Sequence, residues 1–227
     1  MTTRILHHFT LDPASRYARL VLGEKRIAFG EAIVRYWEPN PAFEALNPSG
    51  LTPVLVVGDL AERLVLCESH AIAGWAEDVV PDPPLLPRAL QDRAEMRRLV
   101  QWFERKFDFE VNALLLHEKM EKRLLGLGSP DTNAVRAGRE ALRNHLRYMD
   151  TLLAERDWLA CSRLTLADFA AAAHLSVYDY FAEVPWADFP ACKTWYMKLK
   201  SRPCFRPLLS DRQPGMAPSS YYHDLDF

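Results

Sequence analysis

Asn47-Pro48-Ser49-Gly50-Leu51-Thr52-Pro53-Val54-Leu55 is the stretch on which the reading of this chain turns. Turn-forming residues lead into a proline, and the proline leads directly into an apolar, β-branched run. Proline is tolerated at the first residue of a strand, where no ladder hydrogen bond is demanded of it. A tight turn is also where an X–Pro bond adopts the cis form. A cis bond at Pro53 would fix an extended backbone edge whose amide and carbonyl can pair with a peptide.

Downstream, Val54 to Val57 and Leu64 to Cys67 flank a short polar stretch with Gly58 and Asp59, the pattern of two strands joined as a hairpin. Ser69 then opens a helix running through Trp75. Upstream, Arg4 to Thr10 has the length of a strand, and Pro13 to Ile27 carries Tyr17, Leu20, Val21 and Glu24 at helical spacing. Glu31 to Arg35 supplies a second strand, after a crossover long enough to lay it parallel to the first. The order βαβ then ββα predicts a small sheet with helices packed against it, over residues 1–80.

Pro81, Pro83, Pro84 and Pro87 deny the next segment a continuous helix or central strand, so residues 81–87 read as a linker. Residues 88–209 read as all-helical. Met96, Leu99, Phe103, Phe107, Val111 and Leu114 recur at three- and four-residue steps on one face of a long helix. Gly126 and Gly128 interrupt it, and Ser129-Pro130 forms a cap and first-turn pair for a helix bearing Leu142, Leu146, Met149 and Leu153. Thr165-Leu-Ala-Asp168 has the capping-box form ahead of the apolar run Phe169 to Leu175. A last helix holds Trp195, Met197 and Leu199, and residues 210–227 form a tail.

The 227 residues carry 28 basic and 30 acidic side chains, a net charge of -2, so no overall field draws the chain to nucleic acid or anionic membrane. No apolar run approaches the roughly 20 residues that span a bilayer, and the N-terminus lacks signal-peptide order, which predicts a cytoplasmic protein. Cys67, Cys161, Cys192 and Cys204 include no CxxC, and adjacent His7 and His8 point to opposite faces of a strand. No metal site is expected.

Three segments together resemble the glutathione S-transferase superfamily over about nine-tenths of the chain. The loop into Pro53 is similar to that family's cis-proline loop. Cys67-Glu68-Ser69 is similar to the turn whose acid and hydroxyl hold the γ-glutamyl end of glutathione, where a helix N-terminus favours a carboxylate. Leu164-Thr165-Leu-Ala-Asp168-Phe169 resembles the family's buried capping box, and Phe189, Trp195 and Arg202 follow in its usual order. The resemblance implies a thioredoxin-like N-terminal domain (βαβ-ββα, α/β) followed by an all-α C-terminal domain.

Fold does not fix activity. In the family a Tyr, Ser or Cys near the first helix supports the glutathione thiolate, and Asp12 falls where a Ser or Cys would act. A carboxylate there repels a developing thiolate and raises its pKa. Thr10 and Ser15 are the nearby hydroxyls that could replace it. Pro53, Glu68 and Ser69 then stand as remnants of a glutathione site, although capping alone would select Ser69. Arg16 and Arg19 read as a helix's solvated face, as do Arg97, Arg98, Arg105, Lys106 and the stripe Arg136, Arg139, Arg143 and Arg147.

Trp37, in the loop Tyr36-Trp37-Glu38-Pro39, has the character of a binding hot spot or a subunit contact. The ending Tyr221, Tyr222, His223, Asp224, Leu225, Asp226, Phe227 reads as an interaction motif or a strapped-down terminus, with the first preferred. Both segments resemble the FtsZ-binding, transferase-like branch of alphaproteobacterial cell-division proteins. That resemblance implies a cytoplasmic homodimer at the division site that binds FtsZ filaments and promotes their curving and bundling without catalysis or cofactor. Two other readings stand beside it: an active glutathione transferase or peroxidase, and a structural homodimer serving another cytosolic partner.

Overall fold

In the computed structural model, which describes residues 2–59 and 62–227, Asp12 starts the first helix. Its carboxylate accepts from the amides of Ala14 and Ser15, and Pro13 fills the first turn, where a missing N–H costs nothing. The helix α1 (Pro13–Glu24) follows strand β1 (Arg4–His8). It ends at Glu24 rather than Ile27 because Lys25 closes it and Arg26 turns away with a φ of 55°. Strand β2 (Gly30–Ile33), the short α2 (Pro41–Glu44), β3 (Val54–Val57), β4 (Leu64–Cys67) and α3 (Ser69–Val79) complete the first unit.

The sheet order is β2-β1-β3-β4, with β1 and β2 parallel and the other pairs antiparallel. The β3–β4 hairpin forms as expected, although its residues 60 and 61 lie outside the described ones, as does residue 1. Strand alternation buries Leu6 and His8 and leaves His7 between them only half-buried.

Beyond the prolines, α4 (Leu90–Gln101) runs on into a rod, Trp102–Glu121, whose turns follow the wider i→i+5 pattern, and ends in α5 (Lys122–Leu125). The winding moves the buried face. Phe103, Phe107, Val111, Leu115 and Met120 are fully buried, whereas the expected Leu114 is only half-buried. The next helix, α6 (Thr132–Glu155), is capped by Asp131, whose carboxylate accepts from the Asn133 amide at 2.8 Å. Ser129 therefore lies outside the helix and does not cap it.

Helix α7 (Leu166–Tyr180) is buried along its entire length and begins with the expected capping box of Thr165 and Asp168. Asp168 also accepts from the Leu159 amide and the Trp195 indole, both at 2.9 Å, which ties α7 to α8 (Pro190–Lys200). Helix α9 (Arg206–Ser210) precedes the tail. One apolar core runs from Leu6 and Tyr17 in the first unit through Phe103 and Phe169 to Trp195 and Tyr222.

Arg16 and Arg19 correct the sequence reading. They are buried, not solvated, because α1 packs on α7 and its cationic groups find fixed partners there. Arg16 donates to Thr10 carbonyl, Ser176, Tyr222 and Asp211. Arg19 donates to Glu31 and, through both terminal nitrogens, to Asp211.

Candidate functional site

The Thr52–Pro53 bond is cis, and it brings the Thr52 hydroxyl to the start of α1. That hydroxyl donates to Asp12 Oδ2 at 2.9 Å, and Ser15 Oγ donates to the same oxygen. Burial pushes the Asp12 carboxyl up to about 6, with those hydrogen bonds acting in the opposite sense. Ser15 is fully buried, and its oxygen also accepts from the Phe9 amide. Of the two hydroxyls named in the sequence reading, Ser15 is thus committed to Asp12.

Glu68 precedes α3 with a φ of 73° and is exposed. Ser69, expected as a cap, makes no capping bond, because Glu68 occupies the cap position and Ser69 is the first helical residue. Its hydroxyl instead donates across the cleft to Glu104 Oε2 at 2.5 Å. The anion-favouring start of α3 therefore already faces a carboxylate from the protein itself.

Asp12, Thr52 and Glu68 form one wall of a cleft of about 300 Å³, with Glu104, Asp108, Glu121 and His174 opposite. Tyr36 leans in and donates to Glu121 at 3.1 Å; burial, and after it the nearby Asp12 and Glu121, raise its pKa well above the usual phenol range. The acidic wall escaped the sequence reading. Glu104 and Asp108 stand one helical turn apart, which was visible, but the sheet-side residues they meet at the cleft, Asp12, Thr52 and Glu68, are far from them in the chain. Arg97 and Arg98 on α4 and Arg105 and Lys106 on the rod are exposed, as expected. The stripe Arg136, Arg139, Arg143 and Arg147 is likewise exposed, with Arg139 paired to Glu183 and Arg143 to Asp188.

Trp37 lies outside this cleft's lining and is half-buried, edge-on to Phe9 at 4.8 Å and to Tyr36 at 5.1 Å. The tail is strapped down at two points. Tyr222 is fully buried and is thereby removed from the accessible set; its hydroxyl is 3.0 Å from the Leu208 carbonyl. Phe227 covers Lys200 Nζ at 4.1 Å and packs against Trp186 and Tyr221. Between these anchors Asp224, Leu225 and Asp226 remain exposed. A larger groove of about 750 Å³ runs beside the end of α1, but its Arg19 and Arg202 are already paired with Glu31 and Glu24.

The family profile for the glutathione S-transferase N-terminal domain matches residues 13–79, and that for the C-terminal domain matches residues 113–203. FtsZ-localized protein A of Caulobacter vibrioides is 65% identical over 224 residues, covering 99% of this chain and 98% of the relative. Glutathione S-transferase 3 of Zea mays is 30% identical over 224 residues, 95% of this chain and 97% of the relative. Among solved structures, FzlA from C. crescentus superposes with a TM-score of 0.97 at 64% identity, covering 99% of this chain and 100% of that one. A glutathione S-transferase from Rhodospirillum rubrum F11 gives 0.94 at 45% identity with the same coverage. Two domain profiles in the right order, and full-length agreement in sequence and shape, place the chain in the glutathione S-transferase family, beside FtsZ-localized protein A.

Proposed function

We propose that this chain is a non-catalytic, cytoplasmic member of its family that associates with FtsZ filaments at the division site and, as a homodimer, promotes their curving and bundling during constriction. The observation that carries the non-catalytic part is the pair of carboxylates in the glutathione seats: Asp12 on Ser15 and Thr52, and Glu104 on Ser69. Glutathione would bring further negative charge to both places, and its thiolate would form beside Asp12, which already holds the Ser15 and Thr52 hydroxyls. On this reading no cofactor is needed. The name of the 65% identical relative, FtsZ-localized protein A, supports the filament part.

A dimer presents two equivalent contacts, which raises effective concentration along a polymer, and a fixed angle between them favours one filament curvature. Trp37, with its ring edge held by Phe9 and Tyr36, and the exposed Asp224, Leu225 and Asp226 are the candidate partner contacts. Co-sedimentation with FtsZ and electron microscopy of the filaments test the proposal; unchanged pelleting and unchanged filament shape would refute it. The transferase reading retains support from Pro53 and Glu68, and calorimetry with millimolar glutathione decides it. Trp37→Ala separates filament binding from subunit packing. A dimer that persists in the ultracentrifuge while FtsZ binding is lost argues for the filament contact.

A further inference from the structure

Five carboxylates, from Asp12, Glu68, Glu104, Asp108 and Glu121, line the cleft between the sheet and the rod, and among the described residues no lysine or arginine lines it. Two polar atoms at the cleft are left over. His174 is only 2% exposed, and its Nε2 has no hydrogen-bond partner; the same holds for the buried Oε1 of Glu104. The two lie 3.5 Å apart but outside hydrogen-bond geometry. A buried donor or acceptor left unmade costs the full desolvation of that group, so a pair left over at one cleft points to an occupant.

The hydrogen bonds behind His174 fix what each atom offers. Asn112 Nδ2 donates to Asp108 at 2.7 Å, which sets the amide orientation, and Asn112 Oδ1 accepts from Tyr178 at 2.6 Å. The second Nδ2 hydrogen faces His174 Nδ1 at 3.0 Å, so Nδ1 accepts and the ring proton sits on Nε2. The cleft thus presents one buried donor and one buried acceptor among surplus negative charge. Anions meet repulsion there. A metal ion is unsupported, since no three His, Cys, Asp or Glu side chains converge on a coordination geometry among the described residues.

We propose that this cleft binds an organic cation, a guanidinium or primary ammonium group whose N–H donors meet Glu104 Oε1 and the neighbouring carboxylates, with an adjoining carbonyl oxygen accepting from His174 Nε2. Guanidinium fits best, because its planar fork serves two carboxylate oxygens at once. The volume of about 300 Å³ suits a single side chain or a small amine. The same chemistry arrives either as a free metabolite or as the basic side chain of a peptide. A peptide supplies the carbonyl that satisfies His174, whereas a simple alkyl guanidine or amine does not.

Calorimetry on the full chain at low ionic strength tests this with agmatine as the free cation, N-acetyl-arginine methylamide as the peptide mimic, and glutathione as the anion. Saturable one-to-one binding of the arginine amide, tighter than that of agmatine and with no response to glutathione, is the expected result; agmatine binding as tightly as the amide overturns the carbonyl contact to His174. Glu104→Gln is expected to weaken the bound cation by about tenfold or more, the worth of a hydrogen bond to a charged group. Should that variant fail to fold, as read by near-UV circular dichroism, Glu121→Gln provides the same test from the same wall of the cleft. No saturable binding of either cation up to about 10 mM, or affinity unchanged in a folded variant, overturns the proposal.

Discussion

Arg16 and Tyr222 are separated by 206 positions in the chain and by 3.1 Å in space, where the guanidinium Nη1 donates to the phenolic oxygen. The phenol in turn donates to the Leu208 carbonyl at 3.0 Å, so the last segment fastens the first helix from above α9. Tyr222→Phe keeps the ring against Tyr180 but removes both bonds, and is expected to cost about 1–3 kcal/mol in urea denaturation, because one partner is a buried cation. Tyr222→Ala also empties the ring's place in the core and is expected to cost about 3–5 kcal/mol.

Asp211 is the shared counter-ion of this corner, 3.1 Å from Arg16 and 2.8 Å from Arg19. Asp211→Asn removes the shared counter-ion, leaving the buried Arg16 guanidinium with neutral acceptors only and Arg19 with Glu31 alone. A loss of about 3–5 kcal/mol is expected, near the whole stability of a marginal domain. Arg19→Met in the same background is expected to recover part of that loss by removing one of the two charges, and thermal melts of the single and double variants measure the coupling.

The Asp12 carboxyl, ordinarily near 3.8, is pushed up to about 6 by burial. Between those values the folded chain holds a proton that the unfolded chain has released, so this residue makes stability fall as pH rises across the window. Asp12→Asn keeps a capping oxygen and abolishes the titration. Wild type is expected to lose up to about 2 kcal/mol relative to the variant between pH 4 and pH 7, less than the full two-unit shift implies because cleft water reaches the carboxylate. Denaturant midpoints of both proteins at pH 4, 5, 6 and 7 check it; parallel curves would refute it.

Gly138 lies where α6 crosses the rod, and a Cβ there would come within 2.8 Å of Leu115 Cβ and 2.9 Å of its backbone nitrogen. Ala exceeds Gly by about 1 kcal/mol in helix propensity, but forcing packed helices apart typically costs about 1–3 kcal/mol. The clash is expected to win. Gly138→Ala should lower the melting temperature, whereas Gly74→Ala, with open space around its Cβ, should raise it.

The sheet and the helical half were legible because each rests on a local signal: the Pro53 turn and the Thr165–Asp168 box. The cleft was legible only on its sheet side. Glu104 and Asp108 were invisible as site residues because the sheet-side residues they meet at the cleft, Asp12, Thr52 and Glu68, are far from them in the chain, and the rod's wider winding also moved the buried face from the expected Leu114 to Leu115. Arg16 was misread for a related reason: its partners Ser176, Asp211 and Tyr222 lie at least 160 positions away, and no local pattern announces them. Tyr222 was misread with it.

The Ser69–Glu104 hydrogen bond ties the start of α3 to the rod across the cleft. Here the clasp is internal. The start of α3 and the rod are therefore held to each other by the chain's own side chains, and that contact needs no bound molecule to complete it.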